Sequence, residues 1–305
     1  MPTEPTVRAH PDMPAGGPHA ARIAELRQRF RALHRDGTFV MPNPFDVGSA
    51  RLLEHLGFPA LATTSSGFAA TLGRPDQHVT VDELAAHVVA VVAAVSVPVS
   101  VDAEHCFADT AAGVADTVEL LAAAGASGVS IEDHDPVSGG LYAPDVAAER
   151  VAVAADACRR HGIVLTARAE NHLYGVDDLD DTVARLTRYV AAGADAAYAP
   201  GLVAIEDIER VVREVAAPLN VLARRDGPAV PELAAVGVRR VSTGGALAWA
   251  AYGALVSAAQ ELAGPGTSSY LATALGADVR ARALAPRPRV TARGANPVRY
   301  DPPTP

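Results

Sequence analysis

The sequence predicts a (β/α)₈ barrel, the TIM-barrel fold, over the central part of the chain. Eight short apolar runs with strand character each precede a segment with helical spacing, and together they fill about 250 residues, the usual length of such a barrel. Three helical segments end in a glycine followed by a short buried strand: LAAAGASGVSI, VAAGADAAYA and LAAVGVRRVST. An open doubly wound sheet is the alternative, but no G-x-G-x-x-G follows the first strand and the count of eight favours closure.

The predicted barrel domain covers residues 22–275, between two terminal segments of different composition. Residues 1–21 contain several prolines and no long apolar run, so we expect them to be disordered. An outer helix at 22–37 comes before the first strand. Residues 276–305 are rich in arginine and proline, and we expect a loose or partner-binding tail there.

Strands and helices alternate along the predicted barrel. The strands are predicted at 38–42, 60–66, 99–103, 128–133, 163–170, 194–201, 218–224 and 238–245. The helices are predicted at 46–57, from Thr80 onward, and at 109–124, 144–162, 179–193, 205–216, 230–237, 246–264 and 267–276. The loop at 134–144 is longer than a usual βα connection and is rich in glycine and proline, which indicates a mobile flap.

Composition argues against several classes of function. A net charge of −9 argues against a nucleic-acid partner, for which a basic face is expected. The chain contains no lysine, so neither class I aldolase chemistry nor pyridoxal phosphate chemistry, which both need a lysine Schiff base, is available to it. The two cysteines, Cys106 and Cys158, make no disulfide framework, and no stretch resembles a signal peptide or a transmembrane helix. We therefore expect a cytoplasmic protein with no membrane partner.

Carboxylates follow the third and fourth predicted strands. VSVDAE ends in Asp102 and Glu104, and GVSIED carries Glu132. Since parallel strands joined by a helix bring their carboxyl ends to one edge of the sheet, these three side chains should converge. Converging carboxylates repel one another unless a cation lies among them, and oxygen ligands favour Mg²⁺ or Mn²⁺. The alternative is that these acids cap the following helices, but a charge in the last turn of an apolar strand is costly without a partner.

Further polar residues are predicted at the same edge of the barrel, where the active sites of such barrels lie. Hydroxyl groups and glycines at a strand end expose backbone N–H groups that can hold a carboxylate. Arg168 can balance the acids or bind the same substrate. The set comprises Thr64, Ser65, Ser66 and Gly67 after strand two, Asp76 in the next loop, Arg168, Glu170 and Asn171 after strand five, and Ser242, Thr243, Gly244 and Gly245 after strand eight.

Five stretches of the chain, in order, resemble the isocitrate lyase and phosphoenolpyruvate mutase superfamily. They are MPNPFDVGSARLLEHLGFPALATTSSGFAATLGRPD, VDAE, GVSIED, LTARAEN and RRVSTGGALAWAAYGAL. The resemblance implies a (β/α)₈ barrel whose last helix is commonly exchanged between the subunits of a homodimer or homotetramer. It also implies a Mg²⁺ or Mn²⁺ ion that holds an α-keto or α-oxy carboxylate and stabilises an enolate while a neighbouring bond breaks.

The resemblance implies roles for individual residues as well. Asp102 resembles the main metal ligand, with Glu104 and Glu132 beside it or acting through water. Asp76 resembles the acid that contacts the metal's water shell in the LGxPD loop of the family. Thr64, Ser65 and Ser66 match the segment that binds the substrate carboxylate, and Arg168 resembles the arginine that orients the enolate oxygen and the leaving group. Three further residues complete the predicted substrate-binding set: Gly67, Asn171 and Gly244.

The flap departs from the best-defined members of the superfamily. Lyases that cleave isocitrate or methylisocitrate carry a Lys, a Cys and a Gly-His after strand four, and the mutases and phosphonopyruvate hydrolases use a flap Lys, whereas this flap reads VSGGLY. A GxLY flap resembles the branch that includes oxaloacetate decarboxylases and lyases of substituted malates. His105 and Cys106 replace a glycine and a small or apolar residue of the relatives. Either one of them supplies the missing general acid or both simply pack, and His134 is a second candidate acid.

These observations lead us to expect a divalent-metal-dependent lyase that cleaves a carbon–carbon bond in a small α-keto or 2-hydroxy di- or tricarboxylate. Phosphorus–carbon chemistry on phosphonopyruvate or phosphoenolpyruvate is the alternative within enzymes. A chain that has lost catalysis and serves as a ligand-binding scaffold is the alternative of another class. The retained acids Asp76, Asp102, Glu104 and Glu132, together with Arg168, argue against that last reading.

Overall fold

The computed structural model of the protein describes residues 18–286 and contains ten strands in that range. They are β1 (Phe39–Met41), β2 (Leu61–Ala62), β3 (Val99–Asp102), β4 (Gly128–Glu132), β5 (His134–Asp135), β6 (Gly140–Leu141), β7 (Val164–Arg168), β8 (Ala196–Tyr198), β9 (Leu219–Leu222) and β10 (Arg240–Ser242). Eight of them form one parallel sheet in the order β1-β10-β9-β8-β7-β4-β3-β2. The prediction of a (β/α)₈ barrel is confirmed.

Helices surround this sheet. They are α1 (Pro18–Leu33), α2 (Val47–His55), α3 (Ser65–Thr71), α4 (Val81–Ala94), α5 (Ala111–Ala123), α6 (Pro144–His161), α7 (Leu179–Ala191), α8 (Ile205–Glu214), α9 (Val230–Ala235), α10 (Ala246–Ala263) and α11 (Ala277–Ala283), with 3₁₀ turns at Asn171–Leu173 and Ser269–Thr273. Valine, leucine and alanine side chains fill the layer between strands and helices. No helix in residues 18–286 has the length and apolar character needed to cross a lipid bilayer.

The first and second strands close the barrel without a regular ladder. Ala62 N donates to Pro42 O at 3.1 Å. The side chain of Asn43 donates to Thr63 O at 2.7 Å, and its Oδ1 accepts from Gly244 N at 3.0 Å. One asparagine therefore joins the carboxyl ends of three neighbouring strands, β2, β1 and β10, at the closing seam.

Helix α1 covers the amino-terminal end of the barrel. Phe30 is fully buried in a separate apolar cluster that includes Phe39 of β1 and Val164 of β7. His34 stands edge-on to Phe30, with ring centroids 4.8 Å apart, and its Nδ1 donates to Phe30 O at 2.8 Å. The helix thus plugs the end of the barrel opposite to the predicted site.

The second predicted strand is shorter than expected. The chain leaves β2 at Ala62 and enters helix α3 at Ser65, whereas the sequence suggested a strand through residue 66 followed by a loop. Thr64 starts this helix, because its side chain accepts a hydrogen bond from Gly67 N and so caps the first turn. The helix reads SSGFAAT, which has no clear apolar spacing from which it could be predicted. The predicted site residues 64–67 are therefore held on a helical turn.

The predicted flap and the two termini also differ from expectation. Strands β5 and β6 make an antiparallel hairpin in the flap, with His134 opposite Leu141. Helix α1 begins at Pro18, inside the segment expected to be disordered, and α11 forms in the segment expected to be a loose tail, where it packs on α2. The remainder of both terminal predictions, residues 1–17 and 287–305, lies outside the described range.

Candidate active site

A polar cavity of about 190 Å³ opens at the carboxyl ends of the strands. Its position is the one at which (β/α)₈ barrels place their catalytic groups. The side chains and backbone that line it come from all eight strands of the barrel sheet and from several of the loops that follow them. Nine of the residues predicted from the sequence lie in its wall: Thr64, Ser65, Ser66, Asp76, Asp102, Arg168, Ser242, Gly244 and Gly245.

Arg168, the last residue of β7, is the centre of the charged cluster. Its Nη1 donates to Asp102 Oδ1 at 2.8 Å, its Nε donates to Glu170 Oε1 at 2.7 Å, and its Nη2 lies 3.4 Å from Glu132 Oε2. Burial alone would lower the pKa of Arg168, but these three carboxylates raise it well above its ordinary value. The guanidinium is therefore a permanent cation in the wall of the cavity.

Asp102 is held from several sides at the end of β3. Its Oδ2 accepts from Ser65 N at 3.3 Å and its Oδ1 accepts from Ser130 Oγ at 3.3 Å. Its own backbone N–H donates to Thr63 Oγ1 at 2.9 Å. The side chain of Ser65 also hydrogen-bonds to Asp76. This arrangement fixes one carboxylate that faces the cavity between the Ser65 segment and Arg168.

More negative charge surrounds the cavity than Arg168 can balance. Burial, with Asp102 and Asp76 nearby, raises the pKa of Glu104 to about 8. Burial also raises the pKa of Glu132 well above its ordinary value and raises those of Asp76 and Glu170. Upward shifts of this kind show that the site would be stabilised by a proton or by a further cation. All of the donor atoms are oxygens, the ligands that a hard divalent cation prefers.

The three predicted metal ligands are not assembled as a ready-made set. Residues 18–286 contain no group of three His, Cys, Asp or Glu side chains with the geometry to hold a metal ion. Arg168 lies between Asp102 and Glu132, and neither Glu104 nor Glu132 lines the cavity. Strand convergence brought Asp102 and Glu132 together around an arginine, so Asp102 as the main ligand, with Glu104 and Glu132 beside the metal or acting through water, stays a prediction. The donor set fits a cation that binds Asp102 directly and keeps most of its water ligands.

Two predicted substrate-binding residues lie away from the cavity. The amide of Asn171 is fully buried and donates to Asp181 Oδ2 at 2.6 Å, because the chain turns into a 3₁₀ helix just after β7 and carries this side chain towards α7. Gly67 is buried under the cavity wall, where an added Cβ would lie 2.5 Å from Thr64 Cγ2 and 3.2 Å from Ala248 Cβ. The predicted substrate contact of Asn171 therefore stays a prediction that this position does not support, and Gly67 permits the close approach of α3 and α10.

His105 and Cys106 do not reach the cavity either. Cys106 is fully buried in the main core, and burial raises the pKa of its thiol to about 12, so this position gives no support to the predicted role of Cys106 as general acid, which stays a prediction. The loop that carries both residues turns sharply, with φ values of 49° at Glu104, 63° at Cys106 and 50° at Phe107. Arg150 Nη2 holds this loop by donating to His105 O at 2.6 Å. The turn points Cys106 into the core, which the sequence pattern could not reveal.

Sequence reasoning missed a residue that links three loops around the site. Gln77 Nε2 lies 3.3 Å from Glu132 Oε1, 3.2 Å from His134 Nδ1 and 3.3 Å from Tyr174 Oη. The rings of His134 and Tyr174 stack 4.3 Å apart. Gln77 follows Asp76 directly and has φ 61°, but a lone glutamine in a loop carries no motif that would have identified it.

Comparison with known proteins gives a consistent picture. Residues 30–263 match the family described as phosphoenolpyruvate phosphomutase. An oxaloacetate decarboxylase of Paraburkholderia xenovorans is 36% identical over 203 residues, which cover 63% of this chain and 67% of that protein. The crystal structure of a protein of Burkholderia cenocepacia described as a lyase or mutase is 46% identical, with a TM-score of 0.84, and the match covers 87% of this chain and 98% of that one.

Two further solved structures bear on the chemistry of these relatives. A 2,3-dimethylmalate lyase is 26% identical with a TM-score of 0.74, covering 87% of this chain and 94% of that one. A phosphonopyruvate hydrolase solved in complex with oxalate and Mg²⁺ is 23% identical with a TM-score of 0.75 and covers 85% of this chain and 94% of that one, a likeness that shows the fold. The sequence match, the barrel and the cavity together show that the chain belongs to the phosphoenolpyruvate phosphomutase family, within the PEP mutase and isocitrate lyase superfamily.

Proposed function

We propose that this protein is a lyase that cleaves a carbon–carbon bond in a small 2-oxo or 2-hydroxy dicarboxylate, of which oxaloacetate is the first candidate. The observation that carries the proposal is the pairing of Asp102 with Arg168 at 2.8 Å across a polar cavity, directly beside the backbone N–H of Ser65. Such a site offers an anchor for a carboxylate and a fixed cation for a developing enolate oxygen. Similarity to an oxaloacetate decarboxylase and a 2,3-dimethylmalate lyase supports this class of substrate.

A Mg²⁺ or Mn²⁺ ion completes the proposed site. Asp102 would bind it directly, and Asp76, Glu104 and Glu132 would act beside it or through its water ligands. When bound, the ion would polarise the 2-oxo group and stabilise negative charge on its oxygen. The excess of buried carboxylates that raises the pKa of Glu104 and Glu132 supports a cation at this place.

The protein's own groups would perform the remaining work. Thr64, Ser65 and Ser66 would bind the substrate carboxylate through hydroxyl and backbone N–H groups, with Gly244 opposite. Arg168 would orient the oxygen that becomes the enolate and hold the bond to be broken in line with it. His105 stays a predicted proton donor that would have to act through water, since it does not line the cavity.

The test is a side-by-side assay of substrates with the Mg²⁺-loaded protein. Pyruvate release is measured from oxaloacetate, from alkylmalates such as 2,3-dimethylmalate, and from phosphonopyruvate, each with and without a chelator. We expect turnover of a carbon–carbon substrate that requires the metal and is lost in Asp102→Ala. If phosphonopyruvate alone were consumed, the phosphorus–carbon alternative would replace our proposal.

Calorimetry with Mg²⁺ and oxalate, a mimic of the pyruvate enolate, tests the scaffold alternative. We expect oxalate to bind only when the metal is present. Failure of oxalate to bind under any condition would favour a protein that has lost catalysis.

A homodimer or homotetramer is part of this proposal. Only Ala248 is buried along the whole of α10, while Trp249, Leu255 and Val256 are each more than half exposed. An apolar helix of this kind is stabilised when a second copy of the chain covers it. Exchange of this helix between subunits is the arrangement that we propose. A cytoplasmic location stays a prediction.

A further inference from the structure

Arg240 occupies an unusual position inside the barrel. It is the first residue of β10, its side chain is buried, and it lines the same cavity as Asp102 and Arg168. Its Nη2 donates to Thr166 Oγ1 at 3.0 Å. Thr166 lies two residues before Arg168 on β7, so Arg240 contacts this strand one inward-facing position, about 7 Å along the strand, before Arg168.

All of the hydrogen-bond acceptors recorded for Arg240 are neutral. Its Nε donates to Asn220 Oδ1 at 2.9 Å and its Nη1 donates to His34 Nε2 at 3.1 Å. His34 is in its neutral form, because burial and Arg240 lower its pKa to about 3 and its Nδ1 carries the proton given to Phe30 O. Within residues 18–286 no carboxylate forms an ion pair with Arg240.

The charge of Arg240 is therefore uncompensated. Burial lowers its pKa to about 10, and the phenol of Tyr198 is the one ionisable group that acts in the opposite direction. An arginine with three neutral hydrogen bonds can serve simply to cross-link α1, β7 and β9. A neutral side chain could make such a cross-link with a smaller loss of stability. A buried cation without a counter-charge loses its hydration free energy and gains no ion pair in exchange.

The lower part of the cavity has room and polarity for an anion. Small side chains face it from β2 and β3, where Ala62 and Ser100 leave space above the Phe30 plug. Ser242 adds a hydroxyl group, whose oxygen accepts from Asn220 Nδ2 at 2.9 Å and whose proton can be donated to a ligand. Three of the five N–H groups of the guanidinium are used in the contacts above, which leaves two for a ligand.

We propose that Arg240 and Asn220 form an inner anion subsite that takes a carboxylate-sized anion below the Asp102–Arg168 layer. If the proposed lyase function is right, the occupant is the far carboxylate of a dicarboxylate substrate, and the subsite selects dicarboxylates over monocarboxylates. A free inorganic or organic anion is the other possible occupant of the subsite, and the experiment below distinguishes it from a substrate carboxylate. The subsite itself does not depend on turnover.

Asn220→Asp is the decisive variant. It is isosteric, it keeps the acceptor for Arg240 Nε, and it supplies the missing counter-charge from the protein itself. The hydrogen bond that Asn220 Nδ2 donates to Ser242 Oγ at 2.9 Å is replaced by one that the Ser242 hydroxyl can donate to the new carboxylate. If Arg240 is only a cross-link, Asn220→Asp should leave ligand binding unchanged. Arg240→Met removes the cation. Arg27→Met is the matched control, because Arg27 also donates to neutral carbonyls, those of Ala122 and Ala126, but does not line the cavity.

Two measurements are made on each protein. Crystals soaked in sodium bromide are examined for anomalous scattering beside Arg240, and kcat/KM for oxaloacetate is compared with the affinity of the metal-loaded protein for oxalate, which is too short to span both layers. We expect a bromide peak in the natural protein and in Arg27→Met, and none in Asn220→Asp or Arg240→Met. We expect kcat/KM for oxaloacetate to fall about tenfold or more in Asn220→Asp, with oxalate affinity within about twofold of the natural protein.

Each pattern of results has one reading. A bromide peak without the selective loss on oxaloacetate assigns the subsite to a free anion. A bromide peak in a protein that does not turn over oxaloacetate leaves the subsite standing and removes the proposed function. The selective loss without a bromide peak supports the substrate carboxylate as the occupant. No peak together with unchanged kinetics in Asn220→Asp overturns the proposal and leaves Arg240 as a cross-link.

Discussion

At the scale of single residues, one arginine organises the site. Arg168 contacts Asp102, Glu132 and Glu170 with different nitrogens of one planar group, and its ring neighbour Tyr198 lies with its centroid 5.1 Å from the guanidinium carbon. A lysine carries the same charge but only one nitrogen on a flexible stem. The geometry of the guanidinium, beyond its charge, therefore fixes three carboxylates around the cavity.

Replacement of Arg168 by lysine tests this geometric role. We expect Arg168→Lys to lower kcat by about 100-fold or more, because a point charge cannot hold Asp102 and orient an enolate oxygen at the same time. Steady-state kinetics on the identified substrate gives the result, with Arg27→Met as a control outside the cavity. Activity within a few fold of the natural protein would show that charge alone suffices.

His34, a buried histidine directly after α1, makes the stability of the protein depend on pH. Burial and then Arg240 lower the pKa of His34 from 6.5 to about 3. The unfolded chain therefore binds a proton that the folded protein refuses, so stability is complete above pH 6.5 and falls as the pH drops towards 3. We expect this loss to approach about 1.4 kcal/mol per pH unit below pH 6. Urea unfolding at pH 6.5 and 5 should show a smaller loss in His34→Gln.

His87 provides a check on that prediction. Burial lowers its pKa to about 4, so His87→Gln should reduce the same pH dependence independently. Equal slopes in the natural protein and in both variants would contradict the assignment of acid sensitivity to buried neutral histidines.

At the scale of elements, helix α3 positions Ser65 and Ser66, part of the segment that we propose binds the substrate carboxylate. The helix packs so closely on α10 and on Phe45 that Gly67 has no space for a side chain. Because Thr64 caps this helix, a displacement of Gly67 would move the Ser65 and Ser66 groups that line the cavity. The position of these groups thus depends on a helix–helix contact outside the cavity.

Gly67→Ala tests the dependence of the site on this contact. An added Cβ would lie 3.1 Å from Phe45 Cβ and still closer to Thr64, so we expect a loss of about 1–3 kcal/mol in stability and a raised KM. Gly253→Ala is the matched control, since nothing lies within 4 Å of its added Cβ and alanine favours the helix. The change in stability, measured by calorimetric unfolding, and the change in KM, measured by steady-state kinetics, should differ in sign and size between the two variants.

The sequence predicted the elements better than it predicted their ends. Repeated glycine stops and apolar strands identified all eight barrel strands, because both signals are local. Helix α3 was missed because Thr64, the capping residue, reads equally well as the end of a strand. Asp102, Asp76 and Arg168 were correctly placed in one cavity, whereas Cys106 and Asn171 were not, since a left-handed turn and a 3₁₀ turn redirect side chains without changing the pattern.

At the scale of the whole molecule, α10 is an apolar helix that the barrel barely covers. Leu255 is 62% exposed and Val256 is 53% exposed, and Ala248 is the one buried residue of this 18-residue helix. The two side chains lie on the part of α10 that extends beyond its contact with α3. An isolated subunit would leave this surface in water.

Charge introduced on α10 should therefore dissociate the protein. We expect the natural protein to have two or four times the mass of the 31.4 kDa chain by light scattering, and Leu255→Glu with Val256→Glu to reduce it to that of one chain. Val137→Glu, at a side chain 84% exposed on the flap hairpin, is the control and should leave the mass unchanged. A natural protein that is already monomeric would contradict the proposed assembly.

The seam between β1 and β2 is the place where the barrel has the fewest backbone hydrogen bonds between neighbouring strands. Backbone pairing there is reduced to the Ala62–Pro42 bond, and Asn43 supplies the rest while it also holds Gly244 in the wall of the cavity. Amide hydrogens along this seam should exchange with solvent faster than those of the other strand pairs. A ligand that immobilises Gly244 would also immobilise Asn43, which is hydrogen-bonded to it. Ligand binding should therefore slow amide hydrogen exchange along the seam between β1 and β2.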